Sequence, residues 1–411
     1  MLENIKFIHA ADLHLDSPFK GMSTLPSSLY QELKSSTFSA LDNLVKLAID
    51  EAVDFVLIVG DLFDQSLRSV YAEMQFLLAC EKLAVANIPV YLSYGNHDYL
   101  NAKTRTLKYP DNLHVFDSDQ VECKIFNKNG HPLVAIHGFS YLEQAVLSNK
   151  ALEFQPIEGV PYQIGMLHGS TGQADEHDNY APFQLSDLRA KKIDYWALGH
   201  IHKRAILGTD PAIVYPGNTQ GRSSKELGEK GCYLVELDQT ETKLTFVPLQ
   251  FIRFETVTVD LKDCDDLDRV YQLINDILNQ FGQKKAIVYL TLINASQQMI
   301  KHYHQGDLKD LIDVFNEQQA DMRNWIWIQS YKVEQEKEAI ENLLKTRDPF
   351  IKQLLKQFDQ VDWNATAKDL WQHRQAKRFL PELTDDEKKE IIEAAKELAL
   401  YQLIGVNQNE N

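Results

Sequence analysis

The first 250 residues repeat one pattern six times: a short apolar run ends in a polar cluster, and a longer segment often follows. The polar clusters are Asp12-Leu13-His14, Gly60-Asp61-Leu62-Phe63-Asp64, Gly95-Asn96-His97-Asp98, His137-Gly138, His168-Gly169 and Gly199-His200-Ile201-His202. Short apolar runs predict buried strands, and residues 39–52 and 70–86 are helix candidates. Strand ends of a layered α/β domain gather along one rim. The pattern therefore predicts an α/β fold in which the polar clusters meet.

The cluster at residues 95–98 shows the pattern in detail. The run at residues 88–92 is β-branched or aromatic apart from one proline and one leucine, and it predicts a short buried strand. Gly95 is expected to let the backbone turn where that strand ends. The three polar residues after it would then project from the end of the sheet. Taken alone, such a tripeptide is more often an ordinary polar turn.

Length and composition bound the class of protein. The chain has 411 residues, 44% of them hydrophobic, which suffices for one large core and a second domain. Its start lacks a secretory signal pattern, and no apolar stretch approaches the roughly 18 residues that span a bilayer. The four cysteines are scattered without a C-x-x-C pair and are expected to be free thiols. A cytoplasmic protein is the expectation.

The net charge of −17 argues against a broad basic surface that coats nucleic acid by counterion release. The residue count omits the positive charge of bound divalent metals and of any partner subunit. A nucleic-acid enzyme therefore remains compatible with the composition.

The pattern changes after residue 250. The expected elements there are a strand over 254–259, a helix over 267–281, and strands over 286–293 and 325–333. They predict a small α+β domain over residues 251–333. Residues 334–411 are mainly helical and charged, and their last helix is amphipathic. Its apolar face could pack on its own chain or dock a partner helix, with the former more common.

The polar clusters together supply two carboxylates, one amide and four imidazoles. These residues are Asp12, Asp61, Asn96, His14, His168, His200 and His202. Because no thiolate belongs to the set, it does not fit a closed structural zinc site. It suits catalytic divalent ions such as Mn²⁺, Fe²⁺ or Zn²⁺. Seven ligands are too many for one open site but suit two ions about 3.5–4 Å apart that share a carboxylate.

The motifs ADLHLDSPF, GDLFD, GNHD, ALGHIH and YPGNTQGR resemble those of the calcineurin-like metallophosphoesterase superfamily over residues 5–222. Within it, the chain resembles the SbcD-type DNA repair exonucleases, most closely the branch called YhaO-like. The resemblance implies an α/β/β/α sandwich forming a nuclease domain over residues 1–250. It also implies a capping domain over 251–333 and a helical region over 334–411 that docks an SMC-like ATPase.

The resemblance also implies roles for individual residues. One metal ion would be held by Asp12, His14 and His202, the other by Asn96, His168 and His200, and Asp61 would bridge them. His97 would not bind metal. It would face the scissile phosphate and help the leaving oxygen depart, with Asp98 or Asp64 to orient it.

Three segments have no settled role. The family turn that matches YPGNTQGR usually carries serine where Asn218 stands, and its amides and Arg222 could contact a DNA phosphate or form an ordinary turn. His137 is a candidate for support of the site or for the core. The loop at residues 171–183 is either a lid or a solvated excursion.

The leading hypothesis is a Mn²⁺-dependent DNA nuclease, with 3′-5′ exonuclease activity on double-strand ends, an SMC-like ATPase partner and a homodimer implied by the resemblance. The first alternative is a phosphodiesterase or phosphatase for small molecules, because the same metal core serves both. The second is a scaffold that binds DNA ends with incidental catalysis. Preference for long DNA over a chromogenic phosphodiester distinguishes the first two, and DNA binding without cleavage indicates the third.

Overall fold

The computed structural model describes residues 3–22, 24–64, 69–100, 107–172, 180–262, 264–282, 284–335 and 349–358, with shorter stretches between 360 and 399. The chain forms two compact units, Met1–Gln335 and Glu336–Asn411. No helix in the described part of the chain combines the length and apolar character that a bilayer crossing requires.

The first unit contains the strands and most of the helical residues described. Its strands are β1 (Ile5–Ala11), β2 (Phe55–Val59), β3 (Val90–Ser93), β4 (Leu113–Val115), β5 (Glu122–Lys128), β6 (His131–Gly138), β7 (Tyr162–His168), β8 (Tyr195–Gly199), β9 (Ala205–Thr209), β10 (Ala212–Tyr215), β11 (Gly231–Leu237), β12 (Thr242–Pro248), β13 (Ile252–Asp260), β14 (Lys285–Ala295) and β15 (Ile326–Gln335). Its α-helices are α1 (Ser27–Asp50), α2 (Val70–Val85), α3 (Leu185–Arg189), α4 (Leu267–Leu278), α5 (Gln297–Gln305) and α6 (Asp307–Ala320). The second unit contributes α7 (Pro349–Phe358), α8 (Trp363–Thr366) and α9 (Lys368–Trp371).

Two six-stranded sheets form most of the first unit. One has the order β12-β11-β1-β2-β3-β4, in which β1 to β4 are parallel and β11 and β12 are antiparallel additions. The other has the order β5-β6-β7-β8-β10-β9, with β6, β7, β8 and β10 parallel. Parallel neighbours end at the same edge of a sheet, so each sheet presents a row of carboxyl-terminal strand ends.

The two sheets pack face to face over an aromatic and aliphatic core. Phe7 stacks on Phe55 with ring centroids 5.0 Å apart, and Tyr195 meets Phe7 edge-on at 5.2 Å. Helices α1 and α2 cover the outer face of the first sheet. A cluster including Phe154 and Trp196, with ring centroids 4.9 Å apart, covers the outer face of the second. The predicted α/β/β/α layering is therefore confirmed.

The third sheet, β13-β14-β15, is wholly parallel, with α4 and then α5 and α6 as the crossovers. This refines the predicted α+β description, because parallel strands require crossover helices rather than segregated elements. Phe254 and Ile287 of this sheet, and Trp325 just before β15, pack with Leu29 and Leu33 of α1. The first half of α1 was not predicted from the sequence. Its apolar face is buried against this sheet. The boundary at residue 250 stays a prediction.

Replacing Phe55 by alanine tests the core between the sheets. Phe55 is fully buried, so Phe55→Ala should lower the free energy of unfolding by about 3–5 kcal/mol. Urea denaturation followed by circular dichroism measures the loss. Val85→Ala is the control, because this side chain is 87% exposed and its truncation should change stability by less than about 0.5 kcal/mol. Equal effects of the two substitutions would contradict the proposed core.

Candidate metal centre

The candidate site lies where strands of both large sheets end. Asp12 follows β1, Asp61 follows β2 by two residues, and Asn96 follows β3 in the first sheet. His168 ends β7 and His200 directly follows β8 in the second. Because these strands are parallel within each sheet, their ends deliver the polar side chains to one edge of the sandwich, as the sequence predicted.

Glycines at these strand ends leave room for the polar side chains. A Cβ atom on Gly60 would lie 1.9 Å from Nδ1 of His168, and Gly60 has a left-handed φ of 73°. A Cβ atom on Gly95 would lie 2.3 Å from Oδ1 of Asp61. Gly95 does not have a left-handed φ, so its position requires glycine because of the space that the carboxylate of Asp61 takes. Its expected role in the turn after β3 stays a prediction.

Four non-glycine residues of the site have left-handed backbone conformations. They are Asp12, His14, Asp61 and His200, with φ values of 52°, 43°, 48° and 97°. Such conformations cost on the order of 1–3 kcal/mol each and persist only where the surroundings enforce them. Their concentration at one place indicates a functional site.

Among the described residues, the side chains form three groups of ligand-type atoms, and two of these groups share Asp61. The first group consists of Asp12, His14, Asp61 and His202, whose ligand-type atoms lie within 4.8 Å of one another. The second consists of Asp61, His168 and His200, with the same spacing. The remaining group, of His14, Asp64 and His97, lies beside them and shares His14 with the first. The amide oxygen of Asn96 joins the second group, 3.0 Å from Nε2 of His168 and 3.1 Å from Nδ1 of His200. The structure thus brings together all seven residues that the sequence singled out.

Charge pairing dominates the centre of the site. Asp61 is 1% exposed, and burial alone would raise its pKa. The neighbouring imidazoles of His168, His14 and His97 together outweigh burial and hold the pKa of Asp61 well below its usual range. Burial opposes protonation of His168, but Asp61 and Asp12 raise its pKa to about 9. The site therefore favours positive charge beside Asp61.

Two other imidazoles stay neutral. Burial, followed by repulsion from His168, lowers the pKa of His200 to about 3. Burial and the nearby Arg222 lower the pKa of His14 well below its usual range. Neutral imidazole is the form that binds metals. Nε2 of His14 faces the first group, 3.1 Å from Nε2 of His202, and the ligand-type atoms of the first and second groups are all nitrogen or oxygen. These features fit divalent ions held by oxygen and imidazole ligands.

Comparison with known proteins agrees with this donor set. The family model for calcineurin-like phosphoesterases matches residues 5–204. The uncharacterized metallophosphoesterase YhaO of Bacillus subtilis is 36% identical, over 98% of this chain and 99% of that protein. The chain belongs to the calcineurin-like phosphoesterase family. The predicted superfamily and branch are therefore confirmed.

More distant relatives of this phosphoesterase carry a more specific name. The DNA double-strand break repair protein Mre11 of Thermoplasma acidophilum is 26% identical, over 64% of this chain and 72% of that protein. The protein of the same name from Methanocaldococcus jannaschii is 26% identical, over 68% of this chain and 76% of its own length. These similarities extend beyond the residues that the phosphoesterase family model matches.

His97 lies at the open side of the phosphoesterase site. Its side chain is 44% exposed, and its ring centroid is 5.1 Å from that of His14. Nδ1 of His97 is 3.8 Å from Oδ1 of Asp64, and the contact with this carboxylate raises the pKa of His97. Of the two carboxylates that the sequence offered as orienting groups, Asp64 faces the ring.

Asp98 instead holds two loops together. Its carboxylate accepts hydrogen bonds from the backbone N–H groups of Leu62 at 2.7 Å, Phe63 at 3.1 Å and Gly95 at 2.8 Å. Burial and the nearby Asp61 raise the pKa of Asp98 to about 7. Asp98 thereby fixes the loop after β2 against the loop after β3, which carries Asn96 and His97.

The turn after β10 differs from the sequence prediction at one residue. Asn218 is fully buried, and its Nδ2 donates to the backbone oxygen of Gln220 at 2.8 Å and to Oε2 of Glu226 at 2.9 Å. This placement contradicts a direct contact between Asn218 and DNA. Arg222 donates from Nη1 to Oγ of Ser17 at 3.0 Å and keeps 17% of its side chain exposed. A DNA contact for Arg222 stays a prediction.

Two residues of the site were not predicted from the sequence. Oε1 of Glu226 accepts a hydrogen bond from Nδ1 of His202 at 2.7 Å. The ring of Tyr180 lies 5.1 Å from that of His200, beside a cleft of about 810 Å³. The only sequence signal for Glu226 is its position four residues after Arg222, which would not have identified it.

The structure describes His137 and part of the loop at residues 171–183, whose roles the sequence left open. His137 is buried, and its Nε2 is 2.9 Å from Oε1 of Gln163, so this imidazole belongs to the core. Residues 171, 172 and 180–183 are described, and Thr171 pairs with Phe183 as an isolated bridge. Residues 173–179 lie outside the described part of the chain, so the role of this loop as a lid stays a prediction.

Substituting Gly95 tests the space that the site needs. Gly95→Ala would place a methyl group against Asp61 and His168, so we expect loss of metal binding. Atomic absorption on dialysed, Mn²⁺-loaded protein measures the bound metal. Gly130→Ala is the control, because a Cβ atom there meets nothing within 4 Å, although its left-handed φ makes the substitution mildly destabilising. Full metal content in Gly95→Ala would show that the site tolerates a side chain there.

Proposed function

We propose that this phosphoesterase is a two-metal-dependent DNA nuclease that hydrolyses phosphodiester bonds at double-strand ends, with 3′-5′ exonuclease polarity. The observation that carries the proposal is the sharing of Asp61 by two donor groups, with the exposed His97 beside them. The relatives named as DNA double-strand break repair proteins support DNA as the substrate class.

The metal ligands of the proposal follow the two groups. One ion would be held by Asp12, His14 and His202, the other by Asn96, His168 and His200, and Asp61 would contact both. Mn²⁺ is the first choice, with Fe²⁺ or Zn²⁺ as alternatives for the same oxygen and imidazole donors. When bound, such a pair of ions makes a water nucleophilic at neutral pH and offsets the charge of the phosphate oxygens.

His97 would act on the substrate rather than on the metal. The carboxylate of Asp64 favours its protonated form, and its exposure lets a phosphate approach the ring. As water adds to phosphorus, the bond from phosphorus to the sugar oxygen breaks. The imidazolium of His97 gives its proton to that leaving oxygen. Before the transfer, the same positive charge stabilises the phosphate.

The open cleft beside these residues suits a polyanion. Its lining includes Asn96 and His97 together with Lys203 and Lys225, besides the carboxylates of Asp61 and Glu226. Both lysines are exposed. They place positive charge next to the site in a chain whose net charge is −17. Local positive charge of this kind draws a phosphate backbone towards the site.

The partner and location are part of the same proposal. An SMC-like ATPase would bind the helical region after residue 334, and the protein would act in the cytoplasm as a homodimer. In the second unit Phe350, Leu370 and Ile391 expose 59%, 55% and 42% of their area. The proposal is that the ATPase partner covers these side chains.

Truncating His97 tests the proposed acid. His97→Ala should retain both metal ions and lose activity by a factor on the order of 10²–10⁴, because the proton donor is absent. The assay is the Mn²⁺-dependent shortening of end-labelled double-stranded DNA on a gel, with EDTA as the blank. His131→Ala, at an exposed histidine of β6, is the matched control. Loss of metal from His97→Ala would refute its assignment as a non-ligand.

The same assay separates the alternative functions. Hydrolysis of a chromogenic phosphodiester in preference to long DNA would favour a small-molecule phosphodiesterase. Tight DNA binding without metal-dependent cleavage, either alone or with a candidate ATPase, would favour a scaffold. The position of the label in the products gives the direction of cleavage.

Removing the shared carboxylate should have a different result from removing His97. Asp61→Ala is expected to abolish both metal binding and turnover, because Asp61 belongs to both donor groups. Metal content and DNA cleavage are measured on the same preparation. Asp54→Ala is the control, at a carboxylate that instead pairs with Lys128. Two tightly bound ions in Asp61→Ala would contradict the sharing of this residue.

A further inference from the structure

Glu226 forms a hydrogen bond with one ring nitrogen of His202, a candidate metal ligand. It lies between β10 and β11 with 12% of its side chain exposed, and its Oε1 is 2.7 Å from Nδ1 of His202. Because a carboxylate only accepts, Nδ1 must carry the hydrogen of this bond. In the neutral ring, Nε2 then keeps its lone pair. This Nε2 is 3.1 Å from Nε2 of His14, inside the first donor group.

Further hydrogen bonds hold the carboxylate of Glu226 in place. Oε2 accepts from Nδ2 of Asn218 at 2.9 Å and from the backbone N–H of Arg222 at 2.8 Å. Oε1 also accepts from Nη2 of Arg222 at 3.2 Å. Both oxygens therefore face donors only, and the buried Asn218 is one of them.

We propose that Glu226 is a positioning residue that fixes the tautomer and orientation of His202, so that Nε2 faces the metal ion held with Asp12 and His14. Asn218 and Arg222 hold the carboxylate in position. The inference rests on the two-metal function proposed above. Carboxylates that accept from the second nitrogen of a metal-bound histidine commonly contribute about 10–100-fold to metal affinity.

Glu226→Gln is the informative substitution. It keeps the shape of the glutamate side chain but replaces one of the two acceptor oxygens by an NH₂ group, which only donates. If the amide oxygen faces His202, the NH₂ group is turned towards the donors of Asn218 and Arg222. If the NH₂ group faces His202, Nδ1 must accept and the hydrogen moves to Nε2. That tautomer has no lone pair for the metal. Either orientation weakens the same site.

The experiment titrates Mn²⁺ into the full-length protein by calorimetry and records electron paramagnetic resonance spectra. The wild type should bind two ions and show the spectrum of a coupled pair. Glu226→Gln should bind one ion normally and the second about 10–100-fold more weakly, with the six-line signal of isolated Mn²⁺ at intermediate concentrations. The matched control is Glu229→Gln, whose carboxylate is 37% exposed and lies 3.8 Å from Arg253. It should behave as the wild type.

Several results would overturn the inference. The first is that Glu226→Gln binds two ions with wild-type affinity. The second is that Glu226→Gln loses both ions while its melting temperature is unchanged. The third is that the wild type does not bind two ions. If Glu226→Gln lowers the melting temperature, Asn218→Ala decides. This variant keeps the carboxylate beside His202 but removes the side-chain amide that donates to it, so the same site should weaken severalfold. Unchanged affinity in Asn218→Ala would then reject the role.

These readouts are independent of DNA cleavage. A wild type that binds two ions but cuts no DNA contradicts the proposed nuclease, while the effect of Glu226→Gln on the first donor group still stands. Normal DNA cleavage together with unchanged metal binding in Glu226→Gln supports the nuclease and rejects the role of Glu226. The two proposals therefore fail separately.

Discussion

The buried carboxylate of Asp61 is the point on which both halves of the site depend. A buried charge is unfavourable unless it is paired, and Asp61 finds a partner in each sheet. Oδ2 of Asp61 lies 3.5 Å from Nε2 of His168, which ends β7. Its Oδ1 accepts the backbone N–H of His97 at 2.9 Å, after β3. The same carboxylate thus joins the sheets and organises the loops that a metal-dependent reaction would use.

This pairing requires the two sheets to approach closely at one end. A Cβ atom on Gly199 would lie 2.0 Å from the backbone oxygen of Val59, and the same oxygen is 3.2 Å from Nδ1 of His168. Together with Gly60 and Gly95, Gly199 leaves space that imidazole and carboxylate groups fill. Removal of Cβ atoms therefore matters here more for close packing than for chain flexibility. At these three positions, the absence of a glycine side chain leaves the space in which the polar groups of the site pack.

Local patterns predicted the ends of the main strands and the seven converging residues, because an apolar run and the polar cluster after it are adjacent in sequence. They did not predict short or edge strands such as β4 and β9, whose apolar signal is weak. Glu226 was missed because its role depends on contact with His202, 24 residues away. Asn218 was misassigned because a polar residue in a Pro-Gly turn is usually exposed. The roles of both residues depend on contacts in the folded chain that the local sequence does not show.

Arg222 explains how the metal-holding side of the site is connected to His97. Its guanidinium bonds to Glu226, which orients His202, and to Oγ of Ser17. That hydroxyl lies 3.4 Å from Oδ2 of Asp64, the carboxylate that faces His97. Connected hydrogen bonds of this kind strengthen one another, although Nε of Arg222 itself is buried without a hydrogen-bond partner. The side chain that the sequence assigned to DNA is therefore turned largely inwards. Any contact it makes with a phosphate would come from a group already fixed by the site.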